Sequence, residues 1–232
     1  MKRIISGGTA EISQAVQARW HAMQDQVITT VLRPHMPDIK ECSGWDTLLL
    51  STGTMHPVGP FIDSNFYTWA ESFGPNLFLP LDVLKEMWPA RGENPCVIFF
   101  AGAGINGPAR DRSSYAVAKA ALAKMVEMLD DELPEGRFTI LSPGWVKTKI
   151  QDTMPQEPPD PSYWQPIERV ASFVTWAAEQ PRKVIGGRCI SIHDGWESSE
   201  FAGRVGVYEH VGKMRRSSMP EVGARAKGRR AA

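Results

Sequence analysis

Short apolar runs alternate along the chain with longer segments whose apolar residues recur at helical spacing. The apolar runs predict buried strands at Lys2–Ser6, Gln26–Leu32, Asp46–Ser51, Pro95–Ala101, Arg137–Leu141 and Arg188–His193. Helical spacing predicts helices over residues 10–23, 65–87, 113–133 and 167–179, the second of which is interrupted at Gly74-Pro75. Strands that are apolar throughout are typical of a parallel sheet with helices on both faces.

This alternation predicts an α/β fold, with one doubly wound, Rossmann-like parallel sheet in a single domain over residues 1–202. In such a sheet ligands bind beyond the carboxyl ends of the strands, so the residues after each strand are the candidates for function. Only a brief segment near residues 37–42 lies between the second and third predicted strands. The strand–helix unit after the second strand is therefore expected to be shortened.

Charge changes this picture only towards the end of the chain. The 26 basic and 26 acidic residues give a net charge of zero, which argues against nucleic acid or an anionic membrane as a partner. From Gly203 onward, however, eight residues are basic and two are acidic. We expect residues 203–232 to form a basic extension, either a solvated tail or a segment that docks on a neighbouring subunit or over the substrate site.

The amino-terminal run and the cysteines lead us to expect a cytoplasmic protein. The first apolar run is too short for a signal peptide or an anchor, and no run is long enough to span a bilayer. The three cysteines are far apart and odd in number, as expected for free thiols in a reducing compartment, and we expect no metal site.

The strongest chemical signal is the segment SSYAVAKAAL, residues 113–122, which opens an Ala-rich predicted helix after a strand and a Gly-rich turn. Residues i and i+4 share a helix face, so Tyr115 and Lys119 place a phenol beside an ammonium group. A nearby cation favours the phenolate and lowers the pKa of the tyrosine. Tyr115 is thus a candidate general acid/base for an alcohol or ketone oxygen.

The segment SSYAVAKAAL resembles the active-site helix of the short-chain dehydrogenases/reductases. Other segments agree with that family in order and spacing: ISGGTAEIS (residues 5–13) with its nucleotide loop, LSTG (50–53) with its N-N-A-G, the helix around Asn76, PGWVKT (143–148) with its P-G-x-V-x-T, and IGGRCISIHDG (185–195) with its last strand. The resemblance covers about residues 2 to 196.

The resemblance implies a catalytic group of Tyr115 as proton donor or acceptor, Lys119, and Asn76, which would hold a relay water. Lys119 would also hydrogen-bond the nicotinamide ribose. The cofactor, NADP or NAD, would contact Gly7, Thr9 and Ile12 of the nucleotide loop, Arg33, Gly53, Tyr115, Lys119, Pro143, Val146 and Thr148. Because Arg33 follows the second predicted strand, where an acidic residue would suit NAD, NADP is favoured; a solvated surface arginine is the alternative.

The chain departs from the family pattern at three positions. Gly102 stands where a serine is expected thirteen residues before the tyrosine, and loss of one such hydrogen bond costs about 3–4 kcal/mol of transition-state stabilisation. Ser113 or Ser114 could replace it only if the loop folds back. Glu11 and Ser13 occupy the second and third glycine positions of the nucleotide loop, where Glu11 would repel phosphates unless it points to solvent.

The sequence leaves two classes of function open. The first is an NAD(P)(H)-dependent oxidoreductase that interconverts a carbonyl and a secondary alcohol on a small, rather apolar substrate. The apolar character is expected because the loop after Thr148, the usual substrate lid in the family, is Pro-rich and contains Trp164, with Trp145 shortly before it. Alternatively, these two tryptophans only pack that segment onto the core. The second is a protein that keeps the fold for binding, or uses the Tyr/Lys pair for non-redox proton transfer. By analogy with the family, a homodimer or homotetramer is expected.

Overall fold

The structure is a computed structural model, and it describes residues 1–30, 39–105, 107–153, 158 and 160–201. Six parallel strands form one sheet in the order β2-β1-β3-β4-β5-β6. The strands are β1 (Lys2–Ser6), β2 (Gln26–Thr30), β3 (Trp45–Leu50), β4 (Arg91–Phe100), β5 (Arg137–Ser142) and β6 (Arg188–Ser191). The predicted doubly wound, Rossmann-like α/β domain is confirmed.

Helices connect the strands and cover both faces of the sheet. They are α1 (Glu11–Ala22), α2 (Ile39–Cys42), α3 (Phe66–Glu71), α4 (Leu79–Met87), α5 (Ser113–Glu132), α6 (Ile167–Glu179) and α7 (Arg182–Ile185). One core lies under α1 and α6, and a second lies under α4 and α5. Among the described residues, no helix has the length and apolar character needed to cross a membrane.

The first core shows why α1 packs where it does. Trp20 is fully buried, and its indole N–H donates to the Thr175 hydroxyl of α6 at 3.1 Å. The guanidinium of Arg3, also fully buried, lies 4.7 Å from the Trp20 ring and 2.6 Å from the Asp25 carboxylate. Because a buried charge must be paired, this contact ties the start of β1 to the turn after α1.

The predicted helix over residues 65–87 is in fact two helices joined by a π-helical turn, Gly74–Phe78. The break falls at Gly74-Pro75, as predicted, because proline has no N–H to donate to the preceding turn. Another difference is that β4 begins at Arg91, earlier than the predicted Pro95. Trp45 pairs with Arg91 and Thr47 with Cys96, so a bulge in β4 accommodates Pro95.

Candidate functional site

The candidate site lies at the carboxyl ends of β1, β3, β4 and β5. The chain leaves β1 for β2 on one side and returns to β3 on the other, so β1 and β3 border the crevice where ligands bind in this architecture. Gly7, after β1, has a φ of +87°, and a Cβ there would lie 2.5 Å from the Ser51 carbonyl oxygen after β3. Only glycine fits this close approach of the two loops.

Asn76 is fully buried in the π-helical turn and joins this turn to the loop after β3. Its side-chain N–H groups donate to the carbonyls of Thr54 at 2.8 Å and Ser72 at 2.9 Å, and its Oδ1 accepts the Thr54 amide at 3.1 Å. Pro80 cannot supply the N–H that an α-helix would bring to the Asn76 carbonyl. The side chain of Asn76 thus links the π-helical turn to the loop after β3 through its hydrogen bonds. Separately, because residue 80 is proline, the backbone oxygen of Asn76 lacks its α-helical donor.

Lys119 reaches the same loop from α5. Its ammonium group is buried and donates to the Thr52 carbonyl at 3.3 Å. A Cβ at Gly53 would lie 2.8 Å from Asn76 Oδ1 and 3.5 Å from Lys119 Nζ, so the glycine lets the three residues approach. Burial, which disfavours the charged amine, lowers the pKa of Lys119 to about 8.

Tyr115 lies one helical turn before Lys119 and packs directly on Gly102. A Cβ at Gly102 would lie only 2.1 Å from the Tyr115 hydroxyl oxygen and 2.4 Å from Cε1 and Cζ of its ring. The phenol therefore occupies the space that the side chain of a serine at this position would need. Tyr115 can therefore take this position only because residue 102 is a glycine and not the serine expected from the family pattern.

The electrostatics of Tyr115 differ from the sequence expectation. Burial raises the pKa of Tyr115 to about 12, and the positive charge of Arg112 opposes this rise. The sequence predicts that Lys119 lowers this pKa; its Nζ lies 5.9 Å from the centroid of the phenol ring, and desolvation by burial is the largest effect on the phenol. In the structure Tyr115 is thus a protonated group at neutral pH.

Sequence reasoning missed Arg112, which precedes the first residue of α5 and is 6% exposed. It places a buried cation near the phenol of Tyr115. Its only sequence signal is an arginine three residues before the tyrosine, a pattern indistinguishable from a solvated helix start. The neighbouring Ser113 hydroxyl accepts the indole N–H of Trp69 at 2.9 Å, so it is engaged on the side of α3.

The nucleotide loop lies between β1 and α1. The amides of Gly7 and Gly8 both donate to the Thr30 carbonyl of β2, at 3.0 and 3.2 Å. Thr9 is exposed and Ile12 is half-buried at this end of α1. Ser13 is fully buried, and its hydroxyl has no hydrogen-bond partner. A serine at the third glycine position thus leaves a buried polar atom unpaired beside the loop.

Glu11 does not point freely into solvent. It is the first residue of α1, and its Oε1 accepts the backbone N–H of Lys149 at 3.1 Å. Lys149 directly follows Thr148, whose hydroxyl donates to the Val146 carbonyl at 3.4 Å. The hydrogen bond to Glu11 thereby joins the segment after β5 to the nucleotide loop at Lys149. Arg33 lies outside the described residues, so its position stays a prediction.

Trp145 lies just before, and Trp164 near the end of, the Pro-rich segment after Thr148 that the resemblance places at the position of a substrate lid (the lid segment). Their rings meet edge to face with centroids 6.0 Å apart, and the Gln165 amide donates to the Trp145 carbonyl at 2.7 Å. Lys147 Nζ lies 5.4 Å from the Trp164 ring. Trp145 and Trp164 thus hold the two ends of this segment together. His193, after β6, is exposed and its ring lies 6.2 Å from that of Tyr163.

Comparison with known proteins relates the chain to dehydrogenases. The model of a family described as "Enoyl-(Acyl carrier protein) reductase" matches residues 38–197. A curated relative, an "Uncharacterized oxidoreductase" of Schizosaccharomyces pombe, is 28% identical over 116 residues, which are 49% of this chain and 46% of that protein. The chain thus spans about half the length of this relative.

Solved structures match over most of their length. A small-chain dehydrogenase in complex with NADPH has a TM-score of 0.70 and 17% identity, with 82% of this chain and 95% of that chain covered. A short-chain dehydrogenase/reductase of the glucose/ribitol dehydrogenase type from Brucella melitensis has a TM-score of 0.70 and 18% identity, covering 85% and 97%. A short-chain type dehydrogenase/reductase from Mycobacterium ulcerans has a TM-score of 0.72 and 16% identity, covering 82% and 87%. These likenesses establish the shared fold.

Proposed function

This chain belongs to the short-chain dehydrogenase/reductase family, and we propose that it is an NAD(P)(H)-dependent oxidoreductase that interconverts a carbonyl and a secondary alcohol on a small, rather apolar substrate. The observation that carries this proposal is the grouping of Tyr115, Lys119 and Asn76 at the carboxyl ends of the central strands. The buried phenol supplies a proton, and its neighbours fix the loop on which a cofactor would lie.

The nicotinamide end of the site fits a dinucleotide. Lys119 would hydrogen-bond the ribose beside Gly53, and Val146 and Thr148 would contact the carboxamide. When bound, the cofactor supplies or accepts the hydride, while the protein provides orientation and the proton. We favour NADP over NAD because Arg33 follows the second strand, where a cation suits the 2′-phosphate. An Arg33→Gln variant should weaken binding of NADPH and leave that of NADH unchanged.

The protonation of Tyr115 suits carbonyl reduction. With a pKa of about 12 the phenol holds its proton at neutral pH and can donate it to an oxygen that gains negative charge. Arg112 favours the phenolate left behind. The Asn76 carbonyl, which lacks its α-helical donor, is the acceptor we assign to a relay water that returns the proton.

The proposal of an apolar substrate is supported by Trp145 and Trp164, which lie near the two ends of the lid segment. Trp145 is the third residue after β5 and pairs edge to face with Trp164, and we assign to these two rings the apolar contact with the substrate. This pairing also fastens the segment to the core, so both roles assigned to the tryptophans from the sequence are compatible. Replacing Trp145 by alanine should raise KM for bulky apolar ketones more than for small ones.

Assembly and location complete the proposal. Exposed apolar side chains lie along the helices that flank Tyr115, with Phe66 62% and Phe78 61% exposed and Val117 48% exposed on α5. A homodimer or homotetramer would cover them. Cys96 and Cys189 form no disulfide bond, which suits a cytoplasmic location. Residues 202–232 lie outside the described residues, so the basic extension from 203 stays a prediction.

A second candidate is a protein of this fold without efficient redox catalysis, as a binding protein or a proton-transfer catalyst. It is favoured by one specific observation: the Tyr115 ring fills the place of the missing serine side chain. The experiment that separates the two is a titration with NADPH and NADH, followed by fluorescence and by thermal unfolding. Saturable binding that raises the Tm supports the oxidoreductase, and absence of binding at millimolar concentration contradicts it.

A further inference from the structure

The carboxylate of Glu11 is held at the amino-terminal end of α1 by a residue 138 positions further along the chain. The first turn of a helix leaves amide groups without intrahelical acceptors, and in α1 these are the amides of Glu11, Ile12 and Ser13. No side chain caps this end, since the residue before Glu11 is Ala10. The helix end therefore favours an anion, and the chain places a carboxylate of its own there.

The partner of this carboxylate belongs to the segment that would contact the nicotinamide. The Lys149 amide donates to Glu11 Oε1 at 3.1 Å and directly follows Thr148. A single side chain thus bridges the loop after β1 and the loop after β5, across the crevice beside β3. A phosphate of a ligand bound at this end of α1 would meet both the charge of Glu11 and the backbone that it holds.

We infer that Glu11 is a built-in competitor of the cofactor phosphates, which must displace its carboxylate from the Lys149 amide before a dinucleotide binds. This inference rests on the proposed function. It makes Glu11 a residue that lowers cofactor affinity, and it couples occupation of the nucleotide loop to release of the segment after Thr148. Replacement of the family's glycine by Glu11 thus weakens binding of the dinucleotide without changing the fold around it.

The experiment compares the full chain with Glu11→Gln, which keeps the size but not the charge, and Glu11→Gly, which removes the side chain. Glu135→Gln is the matched control: it loses the same charge just before β5, at the amino end of the strand, whereas the candidate site lies at the carboxyl ends. Two quantities are measured for each protein. One is the Kd for NADPH, from nicotinamide fluorescence; the other is the hydrogen-exchange rate of the Lys149 amide without ligand.

We expect both Glu11 variants to bind NADPH about tenfold more tightly than the wild type, as removal of one nearby like charge implies. We also expect the Lys149 amide to exchange faster in Glu11→Gly, with both quantities unchanged in Glu135→Gln. An unchanged or larger Kd in the Glu11 variants overturns the inference, as does an unchanged Lys149 exchange rate. If no protein, wild type or variant, binds NADPH or NADH, the proposed function fails as well, so the two failures are distinguishable.

Discussion

The packing of Tyr115 on Gly102 predicts that a serine or alanine at position 102 lowers both the free energy of unfolding and turnover. The perturbation is a Cβ at 2.1 Å from the tyrosine oxygen and 2.4 Å from two ring carbons, whereas real contacts of this kind lie beyond 3 Å. Tyr115 is 5% exposed and lies in a packed helix face, so it cannot swing into solvent without losing its buried contacts. The backbone of Gly102 is not in the left-handed region, and the penalty comes from this overlap alone.

The magnitude follows from overpacking in a closed interior, which costs about 1–3 kcal/mol. Replacing glycine also reduces the conformational entropy of the unfolded chain, which raises the free energy of unfolding by about 0.4–1 kcal/mol. We therefore expect Gly102→Ala to lower the free energy of unfolding by about 1–2 kcal/mol. In a Tyr115→Ala background the overlapping atoms are gone, so the same substitution should be neutral or slightly stabilising.

The assay is a double-mutant cycle of Gly102→Ala and Tyr115→Ala, measured by urea unfolding. We expect a coupling energy of about 1–3 kcal/mol, by the overpacking argument. Equal costs of Gly102→Ala in both backgrounds would refute the assigned contact. We expect the Gly102→Ser and Gly102→Ala variants to lose turnover to the same extent. A kcat/KM of Gly102→Ser above that of the wild type would contradict this, because it would show that Tyr115 moves aside and that the new serine assists catalysis.

Two further predictions test the other members of the site. Asn76→Asp sets a carboxylate oxygen against the carbonyls of Thr54 and Ser72, and should lower the free energy of unfolding by about 2–4 kcal/mol; Asn65→Asp, whose side chain only accepts from amides, should be neutral, and equal effects would contradict the link made by Asn76. The folded-state pKa of Lys119, about 8, lies below the unfolded value, so the cost of burying its charge is present at pH 7 and is relieved as the pH rises. Relative to Lys119→Met, the wild type should thus gain about 1 kcal/mol between pH 7 and pH 9 in urea unfolding; a flat difference would contradict the lowered pKa.

The sequence was sufficient for the sheet and for the grouping of the main site residues. Strand and helix periods predict the layers, and the carboxyl ends of parallel strands lie at the same end of the sheet, so Gly7, Gly53 and Pro143 lie at that end. Tyr115 and Lys119 share a face of α5 because they are four residues apart. These features depend on local spacing, which the sequence states directly.

What the sequence could not predict depends on contacts between distant residues. The Glu11–Lys149 hydrogen bond joins two loops, and nothing in either loop alone specifies the other. The direction of the Tyr115 pKa shift depends on how completely the phenol is desolvated, and this is decided by packing on Gly102 and by the position of Arg112. Likewise, the bulge in β4 depends on its pairing with β3.

The central claim is that Tyr115 donates the proton in a hydride transfer to an apolar ketone. The most direct measurement follows consumption of NADPH and formation of alcohol with a panel of ketones of increasing apolar bulk, for the wild type and Tyr115→Phe. We predict that the wild type converts one NADPH per alcohol formed, and that Tyr115→Phe binds NADPH normally but loses turnover. Turnover by Tyr115→Phe equal to that of the wild type, or NADPH binding with no ketone reduced by the wild type, would contradict the account.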